Sequence, residues 1–145
     1  MSENLDVKGL IDKLTKMKEE VTSEAGKAMG NICLKVQETA MKGMTNTTVD
    51  NSRSYGKRRH HPSVPGAYPA VDYGTLRRSI TFEVKEGKDY VIGTVGSTVQ
   101  GYPAYLEHRT SKMEARPWLK PSVESTMDYL KERSKEAVKK AVKGD

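Results

Sequence analysis

The chain has 145 residues, of which 35% are hydrophobic and 30% are charged, and its formal net charge is +6. This length fits one domain, and no apolar run approaches the ~20 residues that span a bilayer. The single cysteine, Cys33, excludes an intramolecular disulfide and is typical of a protein made in a reducing compartment. Charged and apolar residues alternate over residues 1–20, which predicts a soluble chain without a signal peptide.

The first predicted element is a long helix over residues 5–44. A helix of this length would measure about 50 Å, and its apolar stripe is longer than one small domain covers. We therefore expect something else to pack on it. Gly26 and Gly30 predict a bend or close packing within the helix. The stripe consists of apolar residues spaced three or four apart, namely Leu10, Leu14, Met17, Val21, Ala25, Ala28, Ile32, Val36 and Ala40.

Residues 45–73 break this periodicity with three prolines, two glycines and many polar residues, which predicts an extended loop. Loops of this length without secondary structure of their own are often functional or disordered. We expect this one to be mobile in the free subunit and ordered against a neighbour. The basic run Lys57, Arg58 and Arg59 has three interpretations: a solvated loop, an arm that contacts phosphate, or a contact with an acidic protein surface.

Residues 74–116 are predicted to form a sheet and a short helix. Alternating polar and apolar residues over 79–87 and a β-branched run over 90–97 predict an antiparallel hairpin, and a shorter element is expected at residues 99–100. Asp72 or Thr75 is the expected cap of a short helical turn before the hairpin. Tyr102 and Tyr105 lie three residues apart, so they would share one side of the short helix.

The last predicted element is a helix over residues 117–143. Pro117 and Pro121 suit its first turn, and Trp118 is expected to anchor it in the core. Arg116 is expected to pair with Glu107 or with a neighbouring subunit. The sequence as a whole predicts one α+β domain over residues 1–145, made of a long N-terminal helix, a basic loop, a small antiparallel sheet and a C-terminal helix.

No set of residues in the sequence predicts catalysis or metal binding. Cys33 stands alone in a helix, and the adjacent His60 and His61 point in different directions, so no zinc-binding spacing is present. The nucleophile motif Gly-x-Ser-x-Gly and the phosphate-binding loop are also missing. We therefore predict no catalytic residue, no metal and no cofactor. A small hydrolase would need a buried polar cluster around Glu107.

Short motifs follow one another in a fixed order between residues 62 and 124. They are PGAYPAVDYGTLRRSI at 65–80, IGTVGS at 92–97 and YPAYLEHRTSKMEARPWLKPSVE at 102–124. In order and spacing these blocks resemble a family of bacteriophage tail components, the tail-completion or neck proteins of the head–tail joining region. The matched positions are Pro65, Gly66, Pro69, Gly74, Leu76, Arg77, Ser79, Gly93, Tyr102, Tyr105, Glu107, Thr110, Arg116, Pro117, Leu119 and Pro121.

Three positions depart from the family pattern. Arg109 stands where the family usually has Gly, and glycine there would permit a positive φ. Trp118 replaces Phe, and Ser122 replaces Ala.

The resemblance implies a structural virion protein without enzymatic activity. The subunit would form a homo-oligomeric ring, six-fold or twelve-fold, at the head–tail interface of a long-tailed bacteriophage. Its location would be the virion tail or neck, and the host cytoplasm during assembly. Its partners would be the adjoining head-connector and tail-terminator or tail-tube proteins, with non-specific contact to DNA in the channel and no membrane.

The predicted partner or subunit interface combines basic, aromatic and acidic side chains. The alternative function is a basic nucleic-acid-binding accessory protein, which the pI of about 9.3 favours and which strong, salt-dependent DNA affinity would support. The predicted interface residues are Lys57, Arg58, Arg59, Tyr68, Arg77, Arg78, Tyr105, Glu107 and Arg116.

Overall fold

The computed structural model describes residues 7–57 and 59–143, and its elements agree with the predicted α+β architecture. Residues 5 and 6 of the predicted first helix and Arg58 of the basic run lie outside the described residues. In chain order the elements are α1 (Val7–Thr45), α2 (Thr75–Ser79), β1 (Ile80–Glu86), β2 (Val91–Ser97), α3 (Tyr102–His108) and α4 (Leu119–Lys143).

The two long helices, α1 and α4, pack side by side and run antiparallel. The Lys35 ammonium lies 5.9 Å from the centroid of the Tyr129 ring, and Lys140 Nζ lies 3.8 Å from Glu24 Oε2. These contacts are eleven residues apart on both helices, so one register holds along the pair. Buried residues at the contact are small or branched, which lets the helices approach closely: Ala28, Ile32, Ala137 and Ala141.

In the antiparallel pair, the C-terminal end of α4 does not reach the N-terminal end of α1. The first turns of α1 therefore extend past the body of the protein. Extending the register places Lys143 opposite residue 21 of α1. Residues 7–20 therefore continue for about 20 Å beyond α4 at 1.5 Å per residue. The helix passes Gly26 and Gly30 without a break. Gly26 packs closely against the Glu86 side chain, whereas open space surrounds the position of a Cβ at Gly30.

The sheet is a single antiparallel hairpin in which β1 and β2 pair from Ile80 with Ser97 to Glu86 with Val91. It covers one side of α1, where Gly93 of β2 approaches Cys33 and Met29 so closely that a Cβ would collide with both. Gln37 of α1 donates a 2.6 Å hydrogen bond to the carbonyl of Ile80. The short element expected at residues 99–100 does not form a helix or strand.

The hydrophobic core lies at the C-terminal end of α1. Ala40 and Met44 of α1, Ile80 of β1, Leu106 of α3 and Trp118 form one buried cluster. This end of the molecule is therefore the well-packed end, because four separate parts of the chain bury side chains against one another there. The other end contains the projecting turns of α1, the hairpin turn and the end of α4.

The segment 45–73 is more ordered than its composition predicts. It folds as an irregular hairpin with bridges between Val49 and Ser63 and between Tyr55 and His60. Asp50 N–H donates to the carbonyl of Pro62 at 2.7 Å. The described residues of 46–73 contain no helix or strand, in agreement with the predicted loop, and their order comes from backbone hydrogen bonds that pair polar residues without an alternating apolar pattern. Its mobility in the free subunit remains a prediction.

The cap of α2 also differs from the prediction. Gly74 occupies the N-cap with φ 78°, and no side chain caps the helix. The prediction of Asp72 or Thr75 as a capping side chain is therefore wrong. A glycine with a left-handed backbone makes the turn instead, because it adopts positive φ at little cost.

Candidate interaction surfaces

The tip of the irregular hairpin carries the predicted basic run. Tyr55 and His60 exchange two backbone hydrogen bonds of 2.9 Å, which close a tight turn around Lys57 and Arg59. Arg59 has φ 52°, a left-handed conformation within this turn. Both basic side chains are exposed. The backbone therefore holds the turn while the charges face outward, which is the arrangement needed to contact an acidic surface.

The base of the same hairpin has its own anchoring contacts. Ser52 donates to Asp50 Oδ1 through its hydroxyl at 2.5 Å and its backbone N–H at 2.9 Å. These hydrogen bonds, the hydroxyl first, lower the pKa of the Asp50 carboxyl. Nδ1 of His60 lies 3.9 Å from Asp72 Oδ1. His61 Nδ1 lies 2.7 Å from the carbonyl oxygen of Arg53.

The two arginines of α2 differ in their surroundings. Arg77 is half-buried, and its Nη1 donates to Thr45 Oγ1 at 3.0 Å, which ties α2 to the end of α1. Arg78 is exposed, and its guanidinium lies beside Gly74. Arg78 is thus the α2 side chain that a partner can reach, whereas Arg77 contributes to the fold.

Glu107 caps the N-terminus of α4. Its carboxylate accepts backbone N–H hydrogen bonds from Trp118 at 2.8 Å, Leu119 at 2.9 Å and Lys120 at 2.9 Å. The first N–H groups of a helix have no acceptor within the helix, and the helix dipole favours negative charge there. Glu107 therefore satisfies three of these donors from a residue that lies 11 to 13 positions earlier in the chain.

Arg116 and Tyr68 also make contacts around the start of α4, to other parts of the chain. Arg116 donates through its backbone N–H to Leu106 O at 2.7 Å and through Nε to Ser63 O at 2.9 Å. The Tyr68 hydroxyl lies 3.0 Å from Ser122 Oγ, and its ring packs on Gly43. These side chains bind parts of one subunit to one another. The predicted pairing of Arg116 with Glu107 is not found, because Glu107 accepts from α4.

Tyr102 and Tyr105 lie exposed on α3. Tyr102 borders a polar cleft of about 630 Å³ between α3 and the irregular hairpin, which Arg53, His60, Lys112 and Arg116 also line. The cleft carries both acidic and basic groups, since Asp50 and Glu114 also line it. Its mixed charge indicates no single class of ligand.

Three positions near these residues have a positive φ. Gly66 has φ 84°, Gly74 has φ 78° and Arg109 has φ 70°. All three are positions where the tail-component pattern has glycine. Within residues 7–57 and 59–143, Arg59 and Arg109 are the two residues other than glycine with positive φ.

The structure also exposes an apolar surface that the interface prediction does not include. The first turns of α1 leave their stripe uncovered. The sequence did contain a sign of it, namely a stripe longer than one small domain covers. What the sequence did not show was which part of the stripe the rest of the chain would leave exposed: Val7, Leu10, Ile11, Leu14 and Met17.

Groups of three or more His, Cys, Asp or Glu side chains placed to bind a metal ion are absent from the described part of the chain. None of its helices combines the length and apolarity needed to cross a membrane. Comparison of the chain with protein-family models, with curated proteins and with solved structures finds no match in any of the three.

Proposed function

We propose that the protein is a structural subunit of the head–tail joining region of a long-tailed bacteriophage, a tail-completion or neck protein that assembles as a ring. The observation that carries this proposal is the backbone at three of the four positions where the family pattern has glycine. Gly66, Gly74 and Arg109 have positive φ, whereas Gly93, the fourth, lies in strand β2 and does not. Arg109 is the most informative of the three, because this conformation is unfavourable for arginine and the resemblance selects the position from the sequence alone.

Contacts within the 102–124 block, and one that joins it to the 65–80 block, support the same proposal. Glu107 caps the helix that begins after Arg116, Pro117 and Trp118. Gly66 N–H donates to Ala115 O at 2.9 Å, and Trp118 Nε1 donates to Pro103 O at 3.0 Å. Residues of the first and third blocks thus pack together as one joint at the entrance of α4.

In this proposal the joint is a scaffold, and the exposed basic turn is the contact surface. Lys57 and Arg59 extend from a turn that backbone hydrogen bonds close. The turn presents both charges to the outside, so they are suited to select an acidic surface on a neighbouring ring subunit or connector protein. DNA in the channel is the lesser target.

Electron microscopy tests the assignment directly. We expect negative-stain images of the purified protein to show closed rings of one size, and labelled virions to carry the label at the head–tail junction. A label along the tail fibres or the capsid shell, or a protein that binds DNA strongly in a salt-dependent manner and forms no ring, would contradict the proposal.

Charge reversal tests the role of the turn. The double variant Lys57→Glu with Arg59→Glu should keep its thermal midpoint, because exposed loop charges contribute little to stability. Phage carrying it should accumulate filled heads and free tails. The matched control is Lys131→Glu with Lys135→Glu on the exposed side of α4, which should assemble normally. Normal yields of infectious particles from the turn variant would contradict this role.

A further inference from the structure

The N-terminal third of α1 presents an uncovered apolar stripe. Its five large side chains are between 41% and 57% exposed, although they are spaced three or four residues apart like those of a packed helix. Scattered exposed hydrophobic residues need no explanation, but a contiguous stripe of this kind marks an interaction site. The stripe consists of Val7, Leu10, Ile11, Leu14 and Met17.

The stripe continues into the body of the protein. Further along the same side of α1, Val21 and Ala25 line a cleft of about 260 Å³ between the hairpin turn and α4. An ion pair between Lys18 and Asp89 holds the hairpin turn beside this point of α1. Three more apolar side chains are exposed at this end of the molecule: Tyr90, Val138 and Val142.

We propose that this surface, the α1 projection, pairs with the α1 projection of a second copy of the chain, antiparallel and about a two-fold axis. In the register that matches the stripes, Val7 lies opposite Met17 of the other copy and Leu10 lies opposite its Leu14. Two apolar layers thus meet, whereas Ile11 lies opposite Lys13 of the other copy. The other copy's helix would lie along α1 beyond Lys143, where α4 has ended.

The α1–α4 contact within the subunit shows why an antiparallel helix suits this surface. From Val21 onward the same stripe is covered by α4, which runs antiparallel to α1. A second α1 in the same orientation extends this packing instead of requiring a new kind of contact. A two-fold axis makes the surface self-complementary, which is the commonest arrangement in homodimers.

The charges of the projection favour another protein helix over a membrane or nucleic acid. Residues 7–20 contain four lysines (Lys8, Lys13, Lys16, Lys18) and three acidic residues (Asp12, Glu19, Glu20), so their net charge is 4 − 3 = +1. Helices that bind anionic lipid surfaces carry a strongly basic polar face, and nucleic-acid binding needs concentrated basic charge.

The area available suits a weak, reversible contact. The five stripe side chains leave roughly 450 Å² accessible per copy, or roughly 900 Å² for two copies, which lies in the range of weak and transient protein–protein interfaces. The contact is isologous, whereas a closed ring needs a heterologous one. The pairing therefore does not depend on the proposed neck function, and either can fail without the other.

Sedimentation equilibrium of the purified full-length chain tests the pairing. We expect a reversible dimer of the 16.1 kDa chain, or larger assemblies built from such dimers. The double variant Leu10→Glu with Leu14→Glu places charges in the paired stripes, so it should weaken the association at least about 100-fold. Circular dichroism and the thermal midpoint of the dilute variant should match those of dilute wild-type protein, because both side chains are exposed in the subunit.

The matched control is Leu34→Glu. Leu34 is also an exposed leucine of α1, but 20 residues at 100° each place it about 200° around the helix from Leu14. It should associate as the wild type does. A wild-type monomer at 100 µM, or an assembly that the Leu10/Leu14 variant leaves unchanged, would overturn the proposal. Binding of monomeric wild type to anionic phospholipid vesicles would overturn it in favour of a membrane surface.

Disulfide trapping tests the orientation. Mixing Val7→Cys protein with Met17→Cys protein under mild oxidation should yield a crosslinked pair of the two different chains. Each protein alone should crosslink much less, and wild-type protein should not crosslink, because its Cys33 is buried. Efficient crosslinking of Val7→Cys protein to itself would show a parallel pair and overturn the antiparallel arrangement.

Discussion

Replacing Glu107 by Ala removes the carboxylate that accepts the N–H groups of Trp118, Leu119 and Lys120. Loss of an N-terminal cap costs about 0.5–2 kcal/mol, and loss of a negative charge at a helix N-terminus costs about 0.3–1 kcal/mol more. Because Glu107 serves three donors at distances of 2.8–2.9 Å and is partly shielded from solvent, we place the total at about 2–3 kcal/mol. Glu107→Gln retains an acceptor oxygen but loses the charge, so it should cost about 1 kcal/mol.

The assay is thermal and urea unfolding of both variants at one protein concentration, since association changes apparent stability. For a chain of this size 2–3 kcal/mol corresponds to a fall in Tm of about 8–12 °C. Glu114→Ala is the control, because Glu114 is an exposed carboxylate close to the same joint. If Glu107→Ala unfolds like the control, the carboxylate does not stabilise α4, and Glu107 returns to the set of residues available for a subunit interface.

Three further changes test other parts of the structure. Arg109→Gly should stabilise the fold by about 1 kcal/mol. Relief of a strained φ is worth about 1–3 kcal/mol, and the greater flexibility of glycine in the unfolded chain offsets part of this gain. A lower urea midpoint would show that the arginine side chain contributes more stability than the strain removes. Trp118→Ala should cost about 3–5 kcal/mol, since the indole is buried in the core cluster, and an unchanged Tm would contradict its burial. Burial raises the pKa of the Cys33 thiol, so a thiol reagent at pH 8 should react at least about tenfold more slowly with native than with urea-unfolded protein; equal rates would contradict this.

The elements with regular periodicity were predictable from the sequence. The three- and four-residue spacing of apolar side chains indicated α1 and α4, and the alternation over residues 79–97 indicated the hairpin. These patterns are local, because each residue's side of a helix or strand follows from its neighbours in the chain. The entrance of α4 at Pro117 and Trp118 was also recognisable, and Trp118 is buried as predicted.

The sequence left the roles of several polar residues undecided, because their partners are distant in the chain. Glu107 meets residues 118–120, and Arg116 meets Ser63, which lies 53 positions earlier. Neither spacing follows a helical or strand period, so no local pattern reveals it. The backbone ladder of the irregular hairpin was missed for a related reason, since polar segments pair through N–H and C=O groups that every sequence contains.

The apolar stripe of α1 shows most clearly which properties follow from the sequence alone and which depend on the tertiary structure. The sequence by itself determined that a stripe exists and that it is too long for one small domain, since its spacing and length can be read directly. Only the tertiary structure decided which part remains exposed, because that depends on where α4 and the hairpin turn end against α1. Lys140 beside Glu24 and Asp89 beside Lys18 mark those limits, and the apolar side chains before them remain exposed.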